Sequence, residues 1–227
     1  MLRVGLTGGV GSGKSAAAAI FRDLGAQISQ SDEVGRALME PGEAAFESIQ
    51  RHFGPSVVSG DGSLNRAALA RIAFDEGRVD EINAMVHPLV IAAQDAWADR
   101  VGENDSAAVA IVESALIFET RFNGRGPVAE GDGAPWRTRF DRIVVVTAPL
   151  EVRRQRYIAR LAGSVPHEVA SADFDRRAAA QWPDERKAAL ADFVLVNDGS
   201  LQHLQDEATR LYALLRQEAA DRNAEAM

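Results

Sequence analysis

Eight consecutive residues carry the first chemistry in this chain. Gly8-Gly9-Val10-Gly11-Ser12-Gly13-Lys14-Ser15 fills every fixed position of the pattern G-x-x-x-x-G-K-[ST]. Glycines let backbone N–H groups converge on phosphate oxygens where a Cβ would block the approach. A helix opening at 13–15 adds the positive end of its dipole. Lys14 reaches the β- and γ-phosphates of a nucleoside triphosphate, and the Ser15 hydroxyl is a hard oxygen ligand for Mg²⁺. A glycine turn with a solvated lysine would explain neither the three spaced glycines nor the Lys14-Ser15 pair.

Other residues have the right chemistry and a plainer alternative. Asp32 follows the second strand pattern, where open α/β sheets place their ligands. It can orient an acceptor hydroxyl, take its proton or bind Mg²⁺ through water, or it can be a helix N-cap. Glu113 closes an apolar strand, either as a second acid near Mg²⁺ or as a strand end. Arg153, Arg156 and Arg160 are spaced i, i+3, i+7 and share one helix face, which suits a lid over the phosphates; Arg154 points off that face, toward solvent. Arg137, Arg139, Arg142, Arg176 and Arg177 add to a local crowd of arginines that either holds an anion or lines solvated helices. His87, before Pro88 at a helix start, reads as a packing residue ahead of a catalyst. His52, His167 and His203 show no metal-ligand spacing.

These residues need elements to hold them. Residues 2–6 alternate as a strand, and 15–24 form an alanine-rich helix ended by Gly25. A brief strand covers 26–29. The pattern from 32 to about 102 is helical, with Asn65 as a cap and Pro88 just inside a helix start. Strands resume at 107–112 and 143–147, separated by a glycine- and proline-rich exposed loop over 123–139. Helices cover 152–161, 173–181 and 201–219, a last strand covers 193–196, and the polar end from 221 frays. Strands alternating with helices imply a parallel sheet covered on both faces. The block 32–102 is too long for a crossover and forms a helical subdomain.

Composition narrows the class. The 227 residues are 46% hydrophobic and 26% charged, enough for a core, and no apolar run suits a membrane span. The net charge of −8 disfavours a nucleic-acid partner, and the absence of cysteine excludes disulfides. No secretion signal opens the chain, so the expected location is cytoplasmic. The guanine-reading Asn-Lys-x-Asp of GTPases is missing, because Asn197-Asp198-Gly199 lacks the lysine. A small-molecule kinase fits a chain of this size.

The sequence then resembles the dephospho-CoA kinases. Gly5-Leu6-Thr7 with the glycine run, Ser31-Asp32, Gly35-Arg36, Glu40-Pro41-Gly42, His52-Phe53-Gly54 and 61–66 follow in the family's order. His87-Pro88, Leu116-Ile117-Phe118-Glu119, Arg156 with Arg160, and Ala191-Asp192 before Asn197 complete the resemblance, which covers 2 to about 215.

The resemblance implies a P-loop α/β fold: a five-stranded parallel sheet flanked by helices, with a helical acceptor insertion and a lid. The core would be 1–31, 106–151 and 182–227, the acceptor domain 32–105 and the lid 152–181. It implies transfer from MgATP to the ribose 3′-hydroxyl of dephospho-CoA, the last step of coenzyme A biosynthesis. Asp32, Lys14 and Arg156 would be catalytic. Gly9, Gly11, Ser12, Gly13, Lys14, Ser15, Ala16, Arg160 and Asn197 would hold ATP. Asp32, Arg66 and His87 would hold the acceptor, and Ser15 and Asp32 the metal. A monomer is favoured.

The chain departs from the family at several positions. Gln30-Ser31-Asp32 stands for Asp-Ala-Asp, Glu113-Ser114-Ala115 for an Asp-x-Pro start, Ala16 for threonine, and Arg153 for glutamine. A nucleoside- or nucleotide-type kinase, or a nucleotide-binding regulator without turnover, are the alternative readings.

Overall fold

The alternation of Leu2, Val4 and Leu6 folds as predicted in a computed structural model that describes residues 1–120, 122–123, 126–127 and 135–225. Strand β1 (Leu2–Gly8) runs through the glycine loop into α1 (Lys14–Asp23), then β2 (Gln27–Gln30) and α2 (Ser31–Leu38). The helical insertion continues with α3 (Ala44–Phe53), α4 (Arg66–Ala70), a π-helical turn Arg71–Asp75 and α5 (Val79–Asn104). Strand β3 (Val109–Glu113) returns the chain to the sheet. A two-residue ladder of β4 (Phe122–Asn123) and β5 (Gly126–Pro127) precedes a 3-10 turn at Pro135–Thr138 and β6 (Arg142–Thr147). The rest is α6 (Leu150–Leu161), α7 (His167–Ala179), α8 (Asp184–Ala188), β7 (Phe193–Val196) and α9 (Leu201–Glu225).

The main sheet has the order β2-β3-β1-β6-β7, with every neighbouring pair parallel. The period of two along the strands sorts the core into two layers. Leu2, Val4, Leu6, Ile111, Val144 and Val146 pack with Phe21 of α1 and Leu204, Leu211 and Leu215 of α9. Ile143 and Val145 face the other way, onto Ile117, Phe118 and Trp136. Burial on both faces is what near-continuous apolar runs such as Ile143-Val144-Val145-Val146 require. The insertion has an apolar cluster of its own, built on Phe46, Ile49, Val57, Ile72, Val86 and Val90.

Several local expectations need correction. Pro88 lies inside α5, nine residues past its start, instead of near a helix start. Proline there removes the bond to the Ala84 carbonyl, and Ala84 is exposed, so water can take that acceptor. Helix α7 starts at His167 instead of 173, α8 was not foreseen, and α9 continues to Glu225 through the stretch expected to fray. The loop expected over 123–139 falls largely outside the described residues. Its described end is only partly exposed: Arg137 and Thr138 face solvent, but Trp136 and Arg139 are buried, and the Trp136 ring meets Phe118 edge-on at 5.1 Å. Asn65 caps α4 as expected, accepting the Ala68 N–H at 3.0 Å. Among the described residues no helix is long and apolar enough to cross a membrane.

Trp136 supplies the test of this layer. Trp136→Ala should lower the unfolding free energy in urea by about 3–5 kcal/mol, the usual cost of deleting a large buried aromatic. An exposed loop residue would change it by less than ~0.5 kcal/mol.

Candidate active site

The glycine loop leaves β1 at the carboxyl end of the sheet and feeds α1, so its N–H groups and the helix dipole meet one point. Two glycines there are obligatory. Gly11 and Gly13 have φ of 76° and 98°, and a Cβ on them would strike the Arg153 backbone and the Asn197 amide respectively.

The loop is clamped from three directions. Asn197 Nδ2 donates to the Ser12 carbonyl at 2.8 Å, Gln181 Oε1 accepts the Val10 N–H at 2.8 Å, and Arg153 Nε donates to the Val10 carbonyl at 3.0 Å. The Arg153 guanidinium also pairs with Asp184 at 2.7 Å, and both groups are largely buried. Burial pushes the Asp184 carboxyl up, with Arg153 opposing.

This geometry corrects the lid face expected of Arg153, Arg156 and Arg160 at Arg153 alone. Arg153 is a buried brace beneath the loop. Arg156 donates to the Asn197 carbonyl at 2.8 Å, and Arg160 lies 5.0 Å above the Tyr157 ring. Arg154 is not simply solvated, because it bonds Ser171 and Asp175, both at 3.0 Å.

Lys14 and Ser15 open α1. The half-buried Lys14 ammonium donates to the Gly9 carbonyl at 3.2 Å. Burial lowers its pKa from 10.5 to about 8; Lys187 lowers it further, while Glu113, Asp32 and Asp184 oppose. The exposed Ser15 hydroxyl donates to Glu113 Oε1 at 3.5 Å. Burial raises the Glu113 carboxyl and Asp32 adds to the rise, against the pull of Lys14. Register pairs Glu113 with Gln30, so an amide sits where the family pattern has its other acid. Asp32 is exposed in the first turn of α2, where the N-cap is Gln30, so the capping role is excluded. Ala16 packs against the core beneath the loop.

Arg66 is exposed at the start of α4, and His87 is half-buried on α5, with its pKa lowered by burial. The structure thus gathers the loop, Lys14, Ser15, Glu113 and Asp32 at one end of the sheet and leaves Arg66 and His87 in the insertion.

The sequence reading missed a strap on the return strand side. Lys187 is fully buried, with Nζ 2.7 Å from Glu119 Oε1 and 3.1 Å from the Ala115 carbonyl. Glu119 Oε1 also accepts the Trp182 N–H at 2.9 Å. Asp184-Glu185-Arg186-Lys187 reads as a solvated run, and only the neighbouring Trp182-Pro183 hints at burial.

The donor set fits a magnesium-bound triphosphate. Ser15 and Glu113 are hard oxygen ligands side by side, and Asp32 is near enough to act electrostatically on Glu113 and Lys14. Among the described residues no group of three acidic or histidine side chains closes a metal site alone. Phosphate oxygens and water would complete the shell, as is usual for Mg²⁺.

Comparison with known proteins agrees with this chemistry. The family model for dephospho-CoA kinase matches residues 2–203. The dephospho-CoA kinase of Anaeromyxobacter dehalogenans is 36% identical over 94% of this chain and 92% of that protein. That of Thiobacillus denitrificans is 36% identical over 98% of this chain and 99% of its own. The crystal structure of TT1252 from Thermus thermophilus aligns with a TM-score of 0.69 at 32% identity, covering 94% of this chain and 97% of that one. Dephospho-CoA kinase from Campylobacter jejuni, 19% identical, shares the fold, with a TM-score of 0.57 over 94% of this chain and 96% of that one.

The lowered Lys14 pKa has a measurable consequence. The unfolded chain binds the extra proton between about pH 8 and 10.5, so this group makes stability rise with pH across that window. Below about pH 8 both states hold the proton and the desolvation cost is fully present. Lys14→Met should therefore be more stable than the parent at pH 7, with the difference shrinking between pH 8 and 10.5 in urea titrations. A difference independent of pH would mean that burial does not perturb the ammonium.

Proposed function

The chain belongs to the dephospho-CoA kinase family, and on that premise we propose that it transfers the γ-phosphoryl group of ATP to the ribose 3′-hydroxyl of dephospho-CoA, giving coenzyme A and ADP. The observation that carries the residue-level reading is the meeting of Lys14, Ser15, Glu113 and Asp32 at the mouth of a clamped glycine loop.

The loop N–H groups of Gly9, Gly11, Ser12 and Gly13, with those of Lys14, Ser15 and Ala16, receive the phosphates, and Lys14 neutralises charge on the β- and γ-groups. Ser15, Glu113 and Asp32 would hold Mg²⁺, which supplies charge neutralisation across the β- and γ-phosphates when bound. Asp32 orients the acceptor hydroxyl and takes its proton as the new O–P bond forms and the bond to the β-phosphate oxygen breaks. Positioning and electrostatics then account for most of the rate.

Arg156, tied to the Asn197 carbonyl, sits on the nucleotide side of the site. Asn197 serves ATP by shaping the loop, since its amide is committed to Ser12. Arg160 is exposed on α6 and free to reach phosphate. In the insertion, exposed Arg66 suits the acceptor's phosphates, and burial favours a neutral His87. On this reading 1–31, 106–151 and 182–227 serve as nucleotide core, 32–105 as acceptor domain and 152–181 as lid, in a cytoplasmic monomer.

A coupled assay for ADP tests this reading. Turnover should depend on dephospho-CoA, and ATP binding without ADP formation in its presence would refute it. Lys14→Ala should abolish transfer with the fold retained, and Asp32→Asn should lower kcat by roughly 10²–10⁴-fold with ATP affinity little changed.

A further inference from the structure

Gln94 is the conspicuous polar residue of the insertion. It is 2% exposed, on a face of α5 that otherwise buries Val90, Ile91 and Ala98. A buried amide is costly unless bonded, and its Nε2 donates to Ser31 Oγ at 3.0 Å and approaches Ser29 Oγ at 3.4 Å. These two serines bracket the corner between β2 and α2. Ser29 is the penultimate residue of the strand, and Ser31 is the first of the helix and the immediate neighbour of Asp32.

Beyond the backbone ladder to β3 and the packing of α2 on α5, no other side-chain hydrogen bond fixes the corner among the described residues. β2 is an edge strand paired only with β3. Gln30, at the N-cap of α2, makes no side-chain capping bond. Among the described residues no hydrogen bond holds the Asp32 carboxylate, so its aim follows the backbone of the first turn. The amide reaches this corner through helix register. One turn along α2 from Ser31, Gly35 faces Val90, which is one turn back along α5 from Gln94. Gly35 and Val90 are at ordinary packing distance, and Gln94 meets Ser31 at the next contact along the two helices.

We infer that Gln94 is a positioning residue for Asp32: its amide pins the Ser29–Ser31 corner to the acceptor domain and so aims the carboxylate at the acceptor hydroxyl. The inference rests on the reading of Asp32 given above. It makes the insertion more than a binding surface, because the helix bearing His87 also sets the geometry of the acid–base group. A misplacement of about 1 Å in such a group is enough to cost up to roughly a hundredfold in rate.

The test is a double-mutant cycle on the full chain, with Gln94→Leu, Ser31→Ala and the pair. Each single variant should lower kcat roughly ten- to hundredfold, leave the KM for ATP within about twofold, and show near-complete non-additivity in the pair. Additive losses, a rise in KM for dephospho-CoA with kcat unchanged, or unchanged kinetics would overturn it. If Gln94→Leu fails to fold, Ser31→Ala and Ser29→Ala decide the matter by the same kcat criterion. Asp32→Asn separates the two readings. If it is kinetically silent, the role of Asp32 falls and takes this inference with it; if it is impaired while Gln94→Leu is normal, this inference alone falls.

Discussion

A phosphate loop rich in glycine has no shape of its own, and the rest of this molecule is arranged to give it one. The residues that make backbone N–H groups available to an anion also cost the most conformational entropy when ordered. Here the constraint is met from outside the loop. Asn197 reaches Ser12 from the segment after β7, Gln181 reaches Val10 from the segment after α7, and Arg153 braces Val10 from α6. All three clamps come from the last third of the chain. The segment following α6 and α7 is therefore structural to the loop, and the buried Lys187–Glu119 pair locks that segment to the loop after β3.

The charges beside the loop are out of local balance in a way that matches the chemistry. Burial pulls the Lys14 ammonium down and pushes the Glu113 carboxyl up, so each would gain from a partner of opposite sign. A triphosphate offers that to Lys14, and a divalent cation offers it to Glu113. The glutamate that stands where the family pattern has aspartate still brings its oxygen within 3.5 Å of the Ser15 hydroxyl.

Much of this was legible in the residues. The glycine pattern, the strand alternation and the resemblance across nearly the whole chain led to the five-stranded parallel sheet and to the reaction. The failures share a cause: a local pattern does not show what lies across a tertiary contact. The spacing of Arg153, Arg156 and Arg160 gives a common helix side, but not that Arg153 is buried against the glycine loop. Arg154 looked solvated because its partners, Ser171 and Asp175, belong to another helix. Pro88 suggested a helix start because that is where proline costs least, whereas an exposed Ala84 carbonyl lets α5 run through it. Gln94 carried no signal at all, since nothing in an amphipathic helix distinguishes a solvated amide from one tied to a distant serine.

The sheet order has a consequence for how the chain is made. Strand β1 is the middle strand and the first to be synthesised, yet its neighbours β3 and β6 lie more than a hundred residues downstream. An apolar strand thus leaves the ribosome with both edges unpaired and waits through synthesis of the entire insertion before β3 can join it. The insertion, with its own apolar cluster, can gather in the meantime, whereas the nucleotide half depends on closing long loops late. Slow closure of that kind leaves a chain exposed to chaperones and to self-association during its birth.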